Sequence, residues 1–410
     1  MGDGKDVTGG FNAEKAFEQQ TFDGRTLDNK VHLFMGQFSG DWETPEEMAE
    51  AVKEMGYDGI GAVTWGSSGI DVVKAVGPEG VKYLAAYIKA MDQHGIGIST
   101  VGDHLATQAI SAAIIDNGLV SILPPDVTRG YDPNLIVHTP ALHEEIRFNA
   151  ALHTMNTARV TERIREVALD VLGPEKQQER YNPTVVSGFT GSPIWHLLAG
   201  FPPVDEETIE RGYQEVAFRE ARVLDVYRDT GNKRALETHP GEIAYDLVTA
   251  LRTDDTINRA EFGFNGDSSH SVGRRWDYLK YLEVIAGRGK LHASHLKGAS
   301  EGLGDGSGGA YRSHLAWGDE AAYWDFKSIG RGTQNDGAVI YKLGDVGFKG
   351  PFEIEWEDAQ LKKVAGAVAS AKIVRGFVTG NQGLVMEGLK MYENATNYER
   401  AKFDAAFETK

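Results

Sequence analysis

Short β-branched or apolar runs recur along the chain, and most end in Gly, Asp, His or Glu. They begin near Val31 (VHLFMGQ), Asp58 (DGIGAVTW), Ile96 (IGISTVGDH), Pro183 (PTVVSGFTG), Lys233 (KRALETH), Ala260 (AEFGFNGD), Lys290 (KLHASHLKG) and Pro351 (PFEIEWED). These eight runs predict eight strands. Between them lie helical-period segments such as Pro45–Met55 and Val81–His94. Thr44, followed by Glu46 and Glu47, reads as an N-cap with an acidic first turn. The helical segments run into Gly-containing turns at Gly56, Gly95, Gly231 and Gly347. Alternation of helices with near-continuous apolar strands predicts a parallel sheet.

Eight βα units predict an α/β fold, a closed (β/α)8 TIM barrel. Such a barrel needs about 250 residues and tolerates long loop insertions. The surplus is expected in two long βα loops and in a C-terminal extension. Residues 1–28 read as a polar N-terminal extension that frays, 29–378 as the barrel, and 379–410 as a C-terminal helical tail (NYERAKFDAAFETK at its end). A helical pattern from His143 to Leu172 fills the loop after the third strand. The Gly-rich stretch Gly302–Gly309 in the loop after the seventh reads as a flexible hinge or simple disorder. A doubly wound open sheet would place a Gly-rich phosphate loop after the first strand, and GQFSGD is a poor match to one.

Composition agrees with one large globular unit: 410 residues, 41% hydrophobic and 25% charged. Acidic residues outnumber basic ones, 60 to 42, for a formal net charge of −18. That field repels phosphate backbones and anionic membranes, so neither nucleic acid nor a membrane is expected as a partner. The absence of cysteine excludes a disulfide framework, a thiolate metal site and a thiol nucleophile. No apolar stretch approaches the roughly 18 residues of a membrane span, and MGDGKDVTGG lacks a signal-type apolar core. The expected setting is the cytoplasm, and any bound metal must use His, Asp and Glu.

Polar residues at the carboxyl ends of the strands are the candidates for chemistry, since barrel active sites form there. The fifth strand ends in Glu237-Thr238-His239, the sixth in Asn265-Gly266-Asp267, the seventh in His295-Leu296-Lys297, and the eighth in Glu353 through Asp358. One His and three carboxylates on adjacent strands can converge on a hard divalent cation, Mn²⁺, Mg²⁺ or Co²⁺ rather than a closed zinc site. Period-two alternation puts His295 and Lys297 on one face and His292 on the other, under a helix. It also groups Glu353, Glu355 and Glu357, with Glu355 best placed as a ligand. His239 shares a face with Glu237, where it either contacts substrate or orients that carboxylate. Trp65, His104 and Lys297 are expected to line a substrate pocket, with Trp195 and His196 further along the rim. Arg331 either grips a substrate oxygen or pairs with a loop carboxylate.

The motifs together resemble the sugar phosphate isomerase/epimerase family, the xylose isomerase-like TIM barrels. The matching segments include GYDGIGAVTWG, GDHLATQAI, ILPPDV, GFTGSPIWHLLAGFPP, LETHPGEIAYD, FNGDSSH, HLKG, HLAWGD, WDFKSIGRG, GPFEIEWED and KFDAAFE, spanning roughly residues 30–410 in order. The resemblance implies Glu237, Asp267, His295 and Glu355 as metal ligands, with Mn²⁺ the expected ion and Mg²⁺, Co²⁺ or Zn²⁺ the alternatives. It also implies His270 as a substrate contact. Two departures stand out. The run usually like N-F-D-P-S-H reads Asn265-Gly266-Asp267-Ser268-Ser269-His270, and loss of the Pro is expected to loosen that loop. The acid that usually closes H-x-K-D is Gly298 here.

In that family the two glutamate ligands flank the reacting carbon, so Glu237 and Glu355 are the expected acid/base pair. The implied reaction is proton abstraction beside a carbonyl through an enediolate, giving isomerisation or epimerisation of a sugar, keto-sugar or keto-polyol. A lyase on the same scaffold, either an inosose dehydratase or a 3-keto-glycoside β-eliminating deglycosidase, is the alternative. Phosphodiester cleavage, as in endonuclease IV, would need further metal-binding residues and a DNA-facing surface, against which the charge argues. A non-catalytic sugar- or metal-binding barrel would have no need of two carboxylates flanking one carbon. The resemblance also suggests a homo-oligomer, a dimer or tetramer of packed barrels.

Overall fold

The computed structural model describes residues 11–129, 139–198 and 202–393. Strands β1 (Val31–Phe34), β2 (Gly59–Val63), β3 (Gly97–Gly102), β4 (Val185–Gly188), β5 (Lys233–Glu237), β6 (Phe262–Asp267) and β7 (Leu291–Leu296) are followed by two short strands, β8 (Gly298–Glu301) and β9 (Trp324–Lys327), and then by β10 (Phe352–Ile354). All but β8 and β9 join one closed barrel in the order β1-β10-β7-β6-β5-β4-β3-β2, every pairing parallel. Each apolar run in the sequence supplies one barrel strand, so the fold is the (β/α)8 TIM barrel. Thr44 caps the helix Pro45–Glu54 in a reciprocal capping box with Glu47. Gly56, Gly95, Gly231 and Gly347 all sit at positive φ, between 66° and 93°, where a side chain would be strained.

The barrel lumen departs from the usual filling of Val, Ile and Leu. Alternation along the strands turns Leu33, Ile60, Val101, Leu236 and Ile354, all buried, toward the surrounding helices. The inward positions instead carry His32, Phe34, Thr100, Glu237, Asn265, Asp267, His295 and Glu353, and glycines make room for them. A Cβ on Gly61 would lie 2.7 Å from Glu353 Oε2, and one on Gly102 would lie 2.7 Å from the Phe34 ring.

Strict alternation fails in β7. Phe264 pairs with Leu291 and Asn265 with Ala293, so His292 is passed over in a bulge. Its ring occupies the space left by Gly263, where a Cβ would be 2.4 Å from His292 Nε2. His292 therefore does not pack under a helix as the period of two predicts. It lines a cavity of about 410 Å³ at the amino end of the barrel, with His32, Ser99 and Glu353.

The loop after β7 is not a simple flexible hinge. β8 and β9 form an antiparallel ribbon in which Gly298 opposes Lys327 and Glu301 opposes Trp324. Trp324 and Phe326 share a face by period two and bury with Ala299 in a small core of their own. The Gly302–Gly309 stretch lies within the long connection between these strands. The ribbon also accounts for Gly298: a Cβ there would meet Lys327 O and Ser328 O, each at 2.8 Å. In the loop after β3, the helix Pro140–Leu172 covers the outside of the barrel.

The described parts of both terminal segments are packed down. A helix Ala13–Glu18 buries Ala13, whose N–H donates to Glu393 Oε1, and Phe22 contacts the Phe377 ring. Fraying is thus not seen in residues 11–28. Residues 382–393 are helical and bury Val385, Leu389 and Tyr392, with the Tyr392 hydroxyl donating to Ile329 O. The remainder of the tail, 394–410, with its KFDAAFE motif, lies outside the described residues, as do residues 1–10 and the Ala-Gly-Phe of the GFTGSPIWHLLAGFPP motif (199–201).

Candidate functional site

Four neighbouring strands deliver side chains to one buried point at the carboxyl end of the barrel. Glu237 and Asp267 are the last residues of β5 and β6, His295 is the penultimate residue of β7, and Glu355 follows β10 directly. One ligand atom from each of the four lies within 4.8 Å of the other three. His295 Nδ1 stands 3.2 Å from Glu237 Oε2 and 3.2 Å from Glu355 Oε2, so the two glutamates meet across one imidazole. His104 Nε2 reaches Glu237 Oε2 at 3.1 Å, and His270 Nε2 reaches Glu237 Oε1 at 2.9 Å. The Asn265 amide also donates to Glu237, at 3.3 Å.

The electrostatics follow from packing acids with few cations. Burial alone would push the Glu237 carboxyl up, yet hydrogen bonds from His104, His270 and His295 hold it well below the usual range. Burial likewise opposes ionisation of Glu355, and Lys297 and His295 outweigh it and keep its pKa low. Asp267 is pushed up to about 7, first by burial and then by Glu237 and Glu355, against the pull of Lys297. Burial lowers His239 to about 4 and holds His270 well below its ordinary value, so both imidazoles are neutral at pH 7.

This constellation fits a divalent cation. Three carboxylates and one imidazole are hard donors for such an ion. The His295 Nε2 atom is buried without a hydrogen-bond partner. Among the described residues, Lys297 is the one ammonium beside these carboxylates, and it is shared by Glu355 Oε2 at 2.9 Å, Glu357 Oε2 at 2.9 Å and Asp267 Oδ2 at 3.1 Å. A bound cation would offset the repulsion that Lys297 leaves. Among the described residues, two further groups, His104-Glu237-His295 and Glu237-His239-His270, meet the same distance limit but offer a single carboxylate each.

The other residues singled out in the sequence fall into two sets. His104, His239, His270 and Lys297 surround the four-residue cluster. The His239 ring lies 4.2 Å from that of His270, centroid to centroid. Trp65 stands behind His104 at 6.2 Å and donates its indole N–H to Gly36 O. Arg331 is set apart: its guanidinium binds both oxygens of buried Asp358, at 2.8 and 2.7 Å. Loss of the Pro has not left the Asp267–His270 turn loose. Asp267 Oδ1 accepts from Ser269 N at 2.8 Å, and Ser268 Oγ is held by Gln334 at 2.7 Å.

Several neighbours escaped the sequence reading. The Phe34 ring packs 4.3 Å from that of His295, and Phe189 lies 4.8 Å from both His104 and His239. Gln37 donates to Glu357 Oε1 at 2.8 Å and to Glu355 Oε1 at 3.3 Å. From the ribbon, Phe326 faces the Lys297 ammonium at 4.4 Å and His270 at 5.5 Å. Phe34 and Phe189 stand at the carboxyl ends of β1 and β4, so extending the strand-end rule to apolar residues would have found them. Phe326 carried no such signal, because the ribbon itself was not foreseen.

Residues 186–377 match the family model described as the xylose isomerase-like TIM barrel. No curated protein sequence matches the chain. Among solved structures it is similar to 3-keto-D-glucoside 4-epimerase, YcjR, from E. coli in its apo form. The TM-score is 0.52 and the identity 15%, over 85% of this chain and 99% of that one. It is also similar to the probable 3-DHS dehydratase AsbF involved in petrobactin synthesis from Bacillus anthracis (TM-score 0.50, 14% identity, 84% of this chain and 98% of that one). A xylose isomerase-like TIM barrel protein from Mycobacterium smegmatis in complex with magnesium gives a TM-score of 0.51 at 13% identity, over 87% and 98% of the two chains. At such identities the likeness concerns the fold. No described helix is long and apolar enough to cross a membrane. The segment that matches the xylose isomerase-like TIM barrel model runs from β4 to the last barrel helix.

Proposed function

We propose that the protein is a divalent-metal-dependent sugar isomerase or epimerase in which Glu237 and Glu355 exchange a proton with the carbon beside a substrate carbonyl. The observation that carries this reading is the approach of both glutamates to His295 Nδ1 at 3.2 Å, which sets two ionised carboxylates on either side of one buried point. Glu237, Asp267, His295 and Glu355 would hold the ion, with Mn²⁺ as the expected occupant. A divalent ion bound there supplies Lewis-acid stabilisation of negative charge on substrate oxygens.

The chain's own residues would do the rest. A carboxylate within hydrogen-bond reach removes the proton, and its partner returns one at the same carbon or at its neighbour. Return to the opposite face inverts the centre, and return to the neighbouring carbon moves the carbonyl. His104 and His270 hold Glu237 in its ionised form, and Lys297 does so for Glu355. Neutral His270 gives its one N–H to Glu237, and neutral His239 gives its own to Pro240 O, so the other ring nitrogen of each can accept from a substrate hydroxyl. Phe34, Phe189 and Phe326 keep water from the reacting centre. A keto-sugar or keto-polyol suits a site with these acceptors, and the similar fold of a 3-keto-D-glucoside epimerase makes 3-keto-glucosides the first substrates to try.

Elimination is the second reading, because the same carboxylate pair can expel a β-substituent and the probable 3-DHS dehydratase AsbF stands among the similar folds. Incubation with keto-sugars in ²H₂O with Mn²⁺, followed by NMR and mass spectrometry, tests both. Label at one carbon with the substrate skeleton retained supports isomerisation or epimerisation, and label with loss of water or an aglycone supports the lyase. No chelator-sensitive label with any keto-sugar would overturn both.

A further inference from the structure

Glu353 is a buried acid of the barrel lumen that the proposed reaction leaves without a role. Two residues ahead of Glu355, it sits on the amino side of the candidate ligands. It lies directly across from His295 in the pairing of β10 with β7, and from His32 in the pairing of β10 with β1. Half of its carboxylate is tied down. Oε1 accepts from Thr100 Oγ1 at 2.7 Å and from Ser99 Oγ at 2.9 Å, and Ser99 Oγ lies 2.8 Å from His32 Nδ1.

The other half is not. Among the described residues, Glu353 Oε2 has no hydrogen-bond partner, and neither has His295 Nε2, which faces it at 3.8 Å. At that separation the two atoms are not hydrogen-bonded. They are an acceptor and a ring nitrogen left over on opposite sides of one gap. Buried polar atoms in native proteins are rarely left unpaired, so each such atom calls for a partner.

The chemistry of an imidazole ligand supplies one. His295 turns Nδ1 toward Glu237 and Glu355, at 3.2 Å from each, so Nδ1 is the nitrogen that a shared cation would take. A neutral imidazole that gives one nitrogen to a metal carries its proton on the other. Metal-bound histidines almost always donate that second N–H to a carboxylate, a backbone carbonyl or water, and the partner fixes the ring and raises its basicity. We infer that Glu353 is a positioning residue for the metal centre: its Oε2 takes the Nε2 proton of His295, which orients the imidazole and leaves the Nδ1 lone pair for the cation. This rests on the metal-dependent reading above. Glu353 acts through the imidazole alone, since Nδ1 faces the Glu237–Glu355 pair and Nε2 faces Glu353.

Calorimetric titration of the metal-free full chain with Mn²⁺ compares wild type with Glu353→Val and Glu353→Gln. Valine removes the acceptor and should weaken Mn²⁺ binding about 10- to 100-fold, the range for loss of such a partner. Glutamine keeps an oxygen acceptor in place and should bind Mn²⁺ more tightly than valine does. A second readout follows the ring itself. With Zn²⁺ bound, the wild type should show by NMR a slowly exchanging imidazole N–H proton that is absent from His295→Asn and from Glu353→Val. A merely structural role would lower the melting temperature of the metal-free chain and move neither readout. Wild-type Mn²⁺ affinity in Glu353→Val overturns the inference, as does a glutamine variant no better than valine. A fast-exchanging N–H in the wild type, the mark of a water partner, overturns it without any variant. A wild type that binds no Mn²⁺ overturns this role and the metal-dependent reading together. If Mn²⁺ affinity and the N–H signal behave as expected but no keto-sugar takes up solvent ²H, the positioning role stands and the isomerase reading falls. Uptake of ²H with unchanged Mn²⁺ affinity in Glu353→Val does the reverse.

Discussion

Gly61 and Glu353 share one space in the barrel lumen, where a Cβ on the glycine would lie 2.7 Å from the glutamate's Oε2. Glu353 is buried, and its Oε1 accepts from Thr100 Oγ1 at 2.7 Å and from Ser99 Oγ at 2.9 Å. Gly61→Ala should therefore destabilise the protein by about 1 to 3 kcal/mol, the usual cost of overpacking. Gly40→Ala, where a Cβ meets nothing within 4 Å, should change stability by less than about 0.5 kcal/mol. Urea denaturation of the two variants checks the contrast.

Glu237→Gln and Glu355→Gln should each lower turnover by about 10²-fold or more, the range for loss of a positioned acid or base. Circular dichroism should show both variants folded. A Glu355→Gln enzyme with near-normal rate would remove that residue from the proposed pair.

Metal removal should abolish activity, and Mn²⁺ should restore it. Mn²⁺ should also raise the melting temperature, because a ligand at 100 times its Kd stabilises the folded state by about 2.7 kcal/mol. Asp267→Ala and His295→Ala should lose both the shift and the bound metal measured by mass spectrometry. A wild-type-sized shift in Asp267→Ala would place the ion elsewhere, in one of the histidine-rich groups.

His153 lies between two carboxylates, with Nδ1 2.8 Å from Asp126 and Nε2 3.4 Å from Asp103. Burial would lower its pKa, but the two acids outweigh burial and push it up to about 10. A raised folded-state value means that the stabilisation is complete below the unfolded-state pKa near 6.5 and is lost as pH rises toward 10. It amounts to on the order of a few kcal/mol. The stability gap between wild type and His153→Gln should be widest near pH 6 and should shrink steadily up to pH 10. A gap independent of pH would mean that His153 is neutral throughout.

Arg331→Leu should act on stability. It leaves the buried Asp358 carboxylate without the guanidinium that binds both its oxygens, a change that typically costs about 3 to 5 kcal/mol. Arg331→Leu/Asp358→Asn should recover part of the loss. A raised KM with an unchanged melting temperature would instead restore the substrate contact that the sequence left open for Arg331.

Much of this molecule is legible from its sequence, because the deciding interactions are local. Apolar runs such as VHLFMGQ and KRALETH are too short and too β-branched for helices, and each became one strand. Thr44 and Glu47 cap a helix through contacts three residues apart. The candidate ligands were legible for the same reason: a closed parallel barrel gathers its strand ends at one face, so Glu237, Asp267, His295 and Glu355 had to come near one another.

Tertiary structure decided what depends on long-range packing. The bulge that turns His292 inward arises in the pairing of β6 with β7, which no single strand encodes. The ribbon that brings Phe326 over Lys297 pairs residues on either side of a long connection, and a glycine-rich segment between them hides that pairing from any local reading. Arg331 could have faced substrate or an acid, and only the fold set Asp358 beside it. The sequence by itself determined the barrel and the identity of its polar strand ends, through periodicity and turn chemistry. Which of those side chains are ionised, paired or walled off was left to packing, because burial and neighbouring charge act through space rather than along the chain.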